Sequence, residues 1–332
     1  MSIPRPLAIA LWPLSRVYAR CVSLRKSLYA RGLLKSKHLN ATVVSVGNLT
    51  VGGTGKTPMV LWLAEKFISE GKNVAILTRG YRGSGGTSDE VELLRHRLRD
   101  RVRFGVGSNR YESGRRLESE HEIDVFLLDD GFQHLQLARD LDIVMLDGSR
   151  KLRDEWLLPA GLLREPIAAC RRADILVVSR KFERPHIEAR DAHKFCIFYS
   201  QTRLLGFRRF ESIDEPQYLS EIGSGPFFAF CGIGNPEAFF ADLARWNVPL
   251  VQRKAFADHH KYSPRDVQRL EQEAATSKAT AFVTTEKDLA NLPASAFRIP
   301  VWVAVIDLVF TAESELTAAI DRILKTRRGV AA

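Results

Sequence analysis

Val43-Val44-Ser45-Val46-Gly47-Asn48-Leu49-Thr50-Val51-Gly52-Gly53-Thr54-Gly55-Lys56-Thr57-Pro58 constrains the fold of this chain more than any other stretch. It reads as a short β-branched strand, a glycine-rich turn, and Gly55-Lys56-Thr57 opening a helix that runs to about Ser69. That succession is a phosphate-binding loop, in which backbone N–H groups wrap the phosphates and a helix N-terminus adds positive potential. It predicts a nucleoside triphosphate held by Asn48, Thr50, Val51, Gly52, Gly53, Thr54, Gly55, Lys56, Thr57 and Pro58. Lys56 is expected to reach the β- and γ-phosphates, and the Thr57 hydroxyl to sit on Mg²⁺. The usual pattern has glycine or alanine where Thr50 stands, so Gly52-Gly53 is expected to supply the conformational freedom.

From Thr42 to Arg180 strands and helices alternate. Apolar runs at Thr42–Val46, Val74–Thr78, Val125–Leu128, Ile143–Leu146 and Ile175–Val178 predict buried parallel strands with helices between several of them. The expected fold class is α/β, a P-loop doubly wound and mostly parallel sheet with a second, smaller α/β lobe and an N-terminal amphipathic helix. Ligands of such sheets bind beyond the carboxyl ends of the strands, where Thr50–Thr57, Arg79-Gly80-Tyr81 and Asp129-Asp130 should converge. Residues 181–224 are polar and weakly periodic, and read as a connection between lobes. A second set follows: strand Phe227–Phe230, a helix to Trp246, strand Pro249–Arg253, a helix from Pro264, strands Ala281–Thr285 and Val301–Ile306, and a helix from Ala312. The expected division is therefore residues 1–40, 41–205 and 206–332.

The net charge of +10 is concentrated at one end. Arg5, Arg16, Arg20, Arg25, Lys26, Arg31, Lys35 and Lys37 lie within residues 1–40, which hold no acid, leaving +2 for the rest. A nucleic-acid binder spreads such charge over a folded face with aromatics between, so no nucleic-acid partner is expected. No protein partner is inferable either. The apolar run Leu7–Leu14 is too short to span a bilayer, which takes about 20 residues. Beyond Pro13, Leu14, Val17, Tyr18, Cys21, Leu24 and Leu28 recur at helical spacing, with Trp12, Tyr18 and Tyr29 suited to a headgroup boundary. Residues 1–40 are thus expected to lie on an anionic membrane surface, with packing on the protein's own core as the alternative. Cys21, Cys170, Cys196 and Cys231 form no C-x-x-C pair, and read as reduced thiols.

Val125-Phe126-Leu127-Leu128-Asp129-Asp130 is an apolar strand ending in two acids. One of them is expected to hold the Mg²⁺ that bridges the phosphates. His134, four residues on, reads as a ligand, as support for one, or as a satisfied polar side chain. In Ala257-Asp258-His259-His260 a histidine stands beside an acid and can act as a base. Equally, this is a solvated loop in which Asp258 or Ser263 caps the helix at Pro264. Thr285-Glu286-Lys287-Asp288 carries the same ambiguity.

The phosphate loop, Arg79-Gly80-Tyr81, Asp89-Glu90, Leu128–His134, Leu158-Pro159-Ala160-Gly161 with Leu163-Arg164-Glu165, Gly232-Ile233-Gly234, Ala257-Asp258-His259 and Thr285–Asp288 together resemble the tetraacyldisaccharide 4'-kinase family, in the family's order and over nearly the whole chain. The resemblance implies transfer of the ATP γ-phosphoryl group to the 4'-hydroxyl of a tetraacylated glucosamine disaccharide 1-phosphate, with Mg²⁺. It also implies a peripheral position on the cytoplasmic face of the bacterial inner membrane. It maps a catalytic pair onto Asp89 and His259, expected to come from different lobes. It gives Arg110 and Arg164 the role of stabilising phosphoryl charge, and sets Glu90 near the metal. A competing class, a membrane-associated switch ATPase of the partitioning or division-site type, has a lysine just before the double glycine. Here that position is Val51.

Overall fold

The computed structural model describes residues 4–80, 88–149, 152, 155–180, 196–210, 212, 215–293 and 297–331. Tyr81 of the Arg79-Gly80-Tyr81 motif lies outside them. In chain order the elements are α1 (Arg5–Ala30), β1 (Thr42–Asn48), α2 (Lys56–Ser69), β2 (Val74–Thr78), α3 (Asp89–Leu98), β3 (Val102–Val106), α4 (Arg110–Glu120), β4 (Val125–Asp129), β5 (Leu141–Asp147), β6 (Ile175–Ser179) and β7 (Cys196–Arg209). They continue with β8 (Phe227–Cys231), α5 (Pro236–Arg245), β9 (Leu250–Ala255), α6 (Pro264–Ser277), β10 (Ala281–Thr285), β11 (Val301–Phe310) and α7 (Glu313–Ala331).

The chain forms two compact units that are not contiguous blocks cut near residue 205. The first comprises Met1–Tyr81, Arg97–Gln201 and Leu308–Ala332; the second comprises Arg82–His96 and Thr202–Asp307. The segment that begins α3, Asp89 included, therefore belongs with the second unit.

In the first unit the strands run in the order β3-β2-β4-β1-β5-β6-β7, and every pairing described is parallel. The mostly apolar runs of β1, β2, β4 and β6 are buried along their whole length, as strands covered on both faces must be. The order reverses at β1, which lies between β4 and β5. α2 turns Met59, Val60, Leu61, Leu63, Ala64 and Phe67 inward.

In the second unit the order is β11-β10-β8-β9, again parallel. β8 alternates its side chains. Phe227, Ala229 and Cys231 enter a core with Phe239, Phe240 and Leu243, whereas Phe228 and Phe230 enter another with Tyr262, Leu270 and Phe282. That is the period of two that a strand imposes.

Two expectations fail. The connection read over residues 181–224 contains β7, a strand of 14 residues, while residues 181–195 lie outside those described. Gln201, Thr202 and Arg203 interrupt its apolar character, and only some of its positions are buried, so composition concealed it. β3 was not foreseen either: it is the edge strand, and its Arg103 is exposed.

Candidate active site

β1 and β4 are adjacent with Val46 opposite Asp129, so the phosphate loop and the acidic pair leave the sheet side by side. The Gly131 N–H donates to the Val46 carbonyl and clamps the two ends together at 3.0 Å. Within the loop, Gly52 and Gly55 take φ of 109° and 89°, conformations that L side chains resist. Gly53 does not share this need, and a Cβ there would meet nothing within 4 Å. The freedom expected of the Gly52-Gly53 pair thus comes from Gly52 and Gly55. Thr50 is tolerated because it forms an isolated antiparallel bridge with Leu163, flanked by Val51 N–H to Leu162 O at 2.8 Å and Arg164 N–H to Leu49 O at 2.7 Å. Asn48 is fully buried and donates to Thr54 Oγ1 at 3.0 Å, while its carbonyl accepts from Gln133 Nε2 at 3.0 Å. Lys56, Thr57 and Pro58 form the first turn of α2, with Gly55 at its N-cap.

Asp130 takes φ of 50° and receives the Arg164 guanidinium on both carboxylate oxygens, at 2.8 and 2.7 Å. Lys56 Nζ lies 3.5 Å from Asp130 Oδ1. Burial alone would raise the Asp130 pKa, but Lys56 and Arg164 outweigh it and hold the carboxyl below its ordinary range. Asp129 is buried and accepts from the Thr78 hydroxyl at 3.5 Å. Arg110 opens α4, is buried, and donates to Ser108 O at 3.4 Å. His134 is held neutral. Burial, then the charges of Arg110, Arg139, Arg25 and Arg79, push its pKa down to about 4.

The donor chemistry suits Mg²⁺ at Thr57 and Asp129, a hydroxyl and a carboxylate. Among the described residues no group of three or more His, Cys, Asp or Glu could enclose a metal, so a cation here would draw its other ligands from phosphate and water, as Mg²⁺ does. Asp130 and Glu90 are already neutralised by cationic side chains, the latter by Lys287 Nζ at 3.0 Å.

In the second unit Asp89 opens α3, and His259 follows β9 in a left-handed conformation with φ of 58°. His259 Nδ1 is 3.0 Å from Asp89 Oδ2, and Asn291 Nδ2 donates to the same oxygen at 2.7 Å. The pair therefore lies within one unit, contrary to the expectation that two lobes share it. Burial of Asp89 opposes its ionisation, but the hydrogen bonds from His259 and Asn291 prevail and lower its pKa. The bond to Asp89 is the main cause that raises the pKa of His259. Lys287 reaches Glu90, Asp258 Oδ1 at 3.5 Å and His259 Nε2 at 3.5 Å.

The alternatives left open for Asp258-His259-His260 divide between neighbours. Ser263 caps α6 in a capping box with Asp266, and His260 Nε2 approaches Asp266 at 3.2 Å. His259 turns instead to Asp89. Thr285–Asp288 is a support. Asp288, with 1% of its surface exposed, accepts from Gly232 N–H, Tyr262 OH, Thr284 Oγ1 and Thr285 Oγ1. It thereby ties the strand end to the Gly232 turn, whose carbonyl receives the His259 N–H at 3.0 Å. Asn291 escaped sequence reasoning, since no motif marks it and its partner is 202 residues away.

The chain matches the family described as tetraacyldisaccharide-1-P 4'-kinase over residues 7–325. It is 37% identical to the tetraacyldisaccharide 4'-kinase of Geobacter metallireducens, covering 94% of this chain and 96% of that protein. It is 35% identical to that of Desulfotalea psychrophila, covering 88% and 90%. Among solved structures it is similar to LpxK from Aquifex aeolicus in complex with ATP, with a TM-score of 0.74 and 29% identity over 96% of this chain and 99% of that one. An α/β chain of this topology, matched by the family's model from residue 7 to residue 325, belongs to the tetraacyldisaccharide 4'-kinase family.

Proposed function

We propose that the protein transfers the γ-phosphoryl group of ATP to the 4'-hydroxyl of a tetraacyldisaccharide 1-phosphate, giving the 4'-phosphorylated lipid A precursor of lipopolysaccharide. The bond between the γ-phosphorus and the β–γ bridging oxygen breaks and ADP leaves, a phosphorus–oxygen bond forms to the 4'-oxygen, and the hydroxyl proton passes to Asp89. Family membership supports the reaction and the acceptor class, and sets aside the switch ATPase. The observation that carries the residue assignment is Asp89, ionised and fixed through a single oxygen by His259 and Asn291. That arrangement leaves Oδ1 to receive the proton, and His259 orients the base.

Phosphoryl transfer needs positioning and neutralisation more than covalent chemistry. Asn48, Thr50, Val51, Gly52, Gly53, Thr54, Gly55, Lys56, Thr57 and Pro58 are assigned to ATP. Lys56, Arg110 and Arg164 are assigned to the charge of the transferred group, with Asp130 orienting Lys56 and Arg164. Thr57 and Asp129 would hold Mg²⁺, which when bound would supply positive charge to neutralise the phosphates. The place near the metal that the resemblance gives Glu90 is not adopted, because Lys287 already neutralises its carboxylate.

An acylated disaccharide stays in its bilayer, so the enzyme must meet it there. α1 suits this: Leu7, Leu14, Val17 and Leu24 stand exposed along one face beside exposed Arg16 and Arg20. Among the described residues α1 is the one helix long and apolar enough to cross a membrane by length and composition. However, its other face is bonded to the first unit through Ser15, Tyr18 and Lys26, which favours lying on the surface. We therefore assign the protein to the cytoplasmic face of the inner membrane, as a peripheral enzyme.

The test is transfer of labelled γ-phosphate to the tetraacyldisaccharide 1-phosphate in mixed micelles, with Lys56→Ala as control. Label in the lipid, lost in the variant, is the expected result. Label released only as inorganic phosphate, at the same rate without acceptor, would overturn the assignment.

A further inference from the structure

The side of α1 turned toward the protein carries polar side chains with buried partners, which an anchor alone does not require. Ser15, 5% exposed, donates to Leu157 O at 2.9 Å and accepts from Ala160 N–H at 3.0 Å. Tyr18 OH donates to the carbonyl of Arg164 at 2.9 Å. Lys26 Nζ lies 2.8 Å from Glu165, whose side chain is only 4% exposed and which also meets Arg172 at 3.0 Å. All three reach one short segment, residues 157–165.

That segment is stiff and has a second neighbour. Leu158 N–H bonds to Leu163 O, Leu163 N–H to Trp156 O, and Leu162 N–H to Glu155 Oε1, closing it on itself. On its far side it bonds to the phosphate loop through Leu162 to Val51 and Arg164 to Leu49, and it carries the Arg164 guanidinium that grips Asp130. One link thus lies between α1 and the loop assigned to ATP. The charges point the same way. Lys26 and Arg172 neutralise Glu165, so this carboxylate does not compete with Asp130 for the neighbouring Arg164. Remove Lys26, and a buried anion is left short of a partner one residue from the guanidinium.

We propose that the seated face of α1 is a positioning element of the phosphoryl-transfer site. Ser15, Tyr18 and Lys26 hold residues 157–165, and these hold Arg164 and the phosphate loop. The inference rests on the kinase reading, and gives α1 two faces with separate duties: the outer one for lipid, the inner one for rate.

The experiment compares Tyr18→Phe with Lys26→Met, singly and together, in the full chain. Binding to vesicles of phosphatidylethanolamine and phosphatidylglycerol, affinity for a fluorescent ATP analogue, and kcat and KM in mixed micelles are all measured. The double variant should bind vesicles as the unaltered chain does, lose about tenfold in kcat, and weaken nucleotide binding by about fivefold, with the KM for lipid acceptor unchanged within roughly twofold. Lys26→Arg should recover most of the loss. Leu14→Glu with Val17→Glu, on the outer face, should instead reduce vesicle binding and raise the KM for the acceptor. Unchanged kcat and nucleotide affinity in the double variant would overturn the proposal, as would a kcat loss that merely tracks vesicle binding. Failure of the kinase reading shows up separately, as an unaltered chain that transfers no label to acceptor. The nucleotide affinity of the variants then still decides the positioning role.

Discussion

At the residue scale the catalytic proposal turns on one oxygen. Asp89 Oδ2 takes both His259 and Asn291, so removing either donor should leave a base that is still present but harder to ionise. His259→Phe and Asn291→Leu are each expected to move the acidic limb of the kcat/KM profile to higher pH, because each deletes a cause that lowers the Asp89 pKa. Asp89→Ala should lower kcat by roughly 10²–10⁴-fold while nucleotide affinity persists. A pH profile unmoved in both donor variants would refute the assignment. The same pair bounds stability. The contribution of Asp89 is present above its ordinary 3.8 and lost as pH falls through the depressed value. That of His259 is present below its ordinary 6.5 and lost as pH rises through the raised one. The pair therefore supports folding most in mildly acidic solution.

At the scale of elements, loops at strand ends are set by a few special positions. In the phosphate loop, Gly52→Ala and Gly55→Ala force left-handed backbone on a residue with a side chain, and should each cost about 1–2 kcal/mol. Gly53→Ala meets no neighbouring atom, and should lie within about 0.5 kcal/mol of the parent. Urea midpoints measured without nucleotide would rank the three, and an equal cost at Gly53 would contradict the loop geometry. In the second unit, Asp288 gathers four donors onto one buried carboxylate. Asp288→Ala strands several at once and should destabilise by about 3–5 kcal/mol. Tyr262→Phe removes one and should cost about 1 kcal/mol. Burial next to Asp288 already pushes the Tyr262 hydroxyl pKa up, so it remains a donor across the working range.

For the molecule as a whole, the charge distribution predicts behaviour at lipid surfaces. With +8 of the net +10 inside residues 1–40, association with anionic vesicles should weaken as salt shortens the screening length from about 10 Å at 0.1 M to about 3 Å at 1 M. Deleting residues 1–30 should abolish co-sedimentation, and undiminished binding by the truncated chain would remove α1 from the account. The truncation should cost rate as well as binding, because it takes away Ser15, Tyr18 and Lys26 together.

The phosphate loop was legible because what defines it is local. Asn48 bonds to Thr54 six residues on, Gly55 caps the helix that Lys56 begins, and buried β-branched runs announce parallel strands at sight. Such features follow from backbone sterics and from the period at which side chains meet a core. Tertiary structure alone decided most of the meetings between distant polar groups. Arg164 finds Asp130 across 34 residues, and Asn291 joins the Asp89 carboxylate across 202, a third member that the expected Asp89–His259 pair did not include. Hydrophobic periodicity says which face of an element is covered, but not by what. The order of strands in each sheet sets those partners, and no spacing along the chain records it.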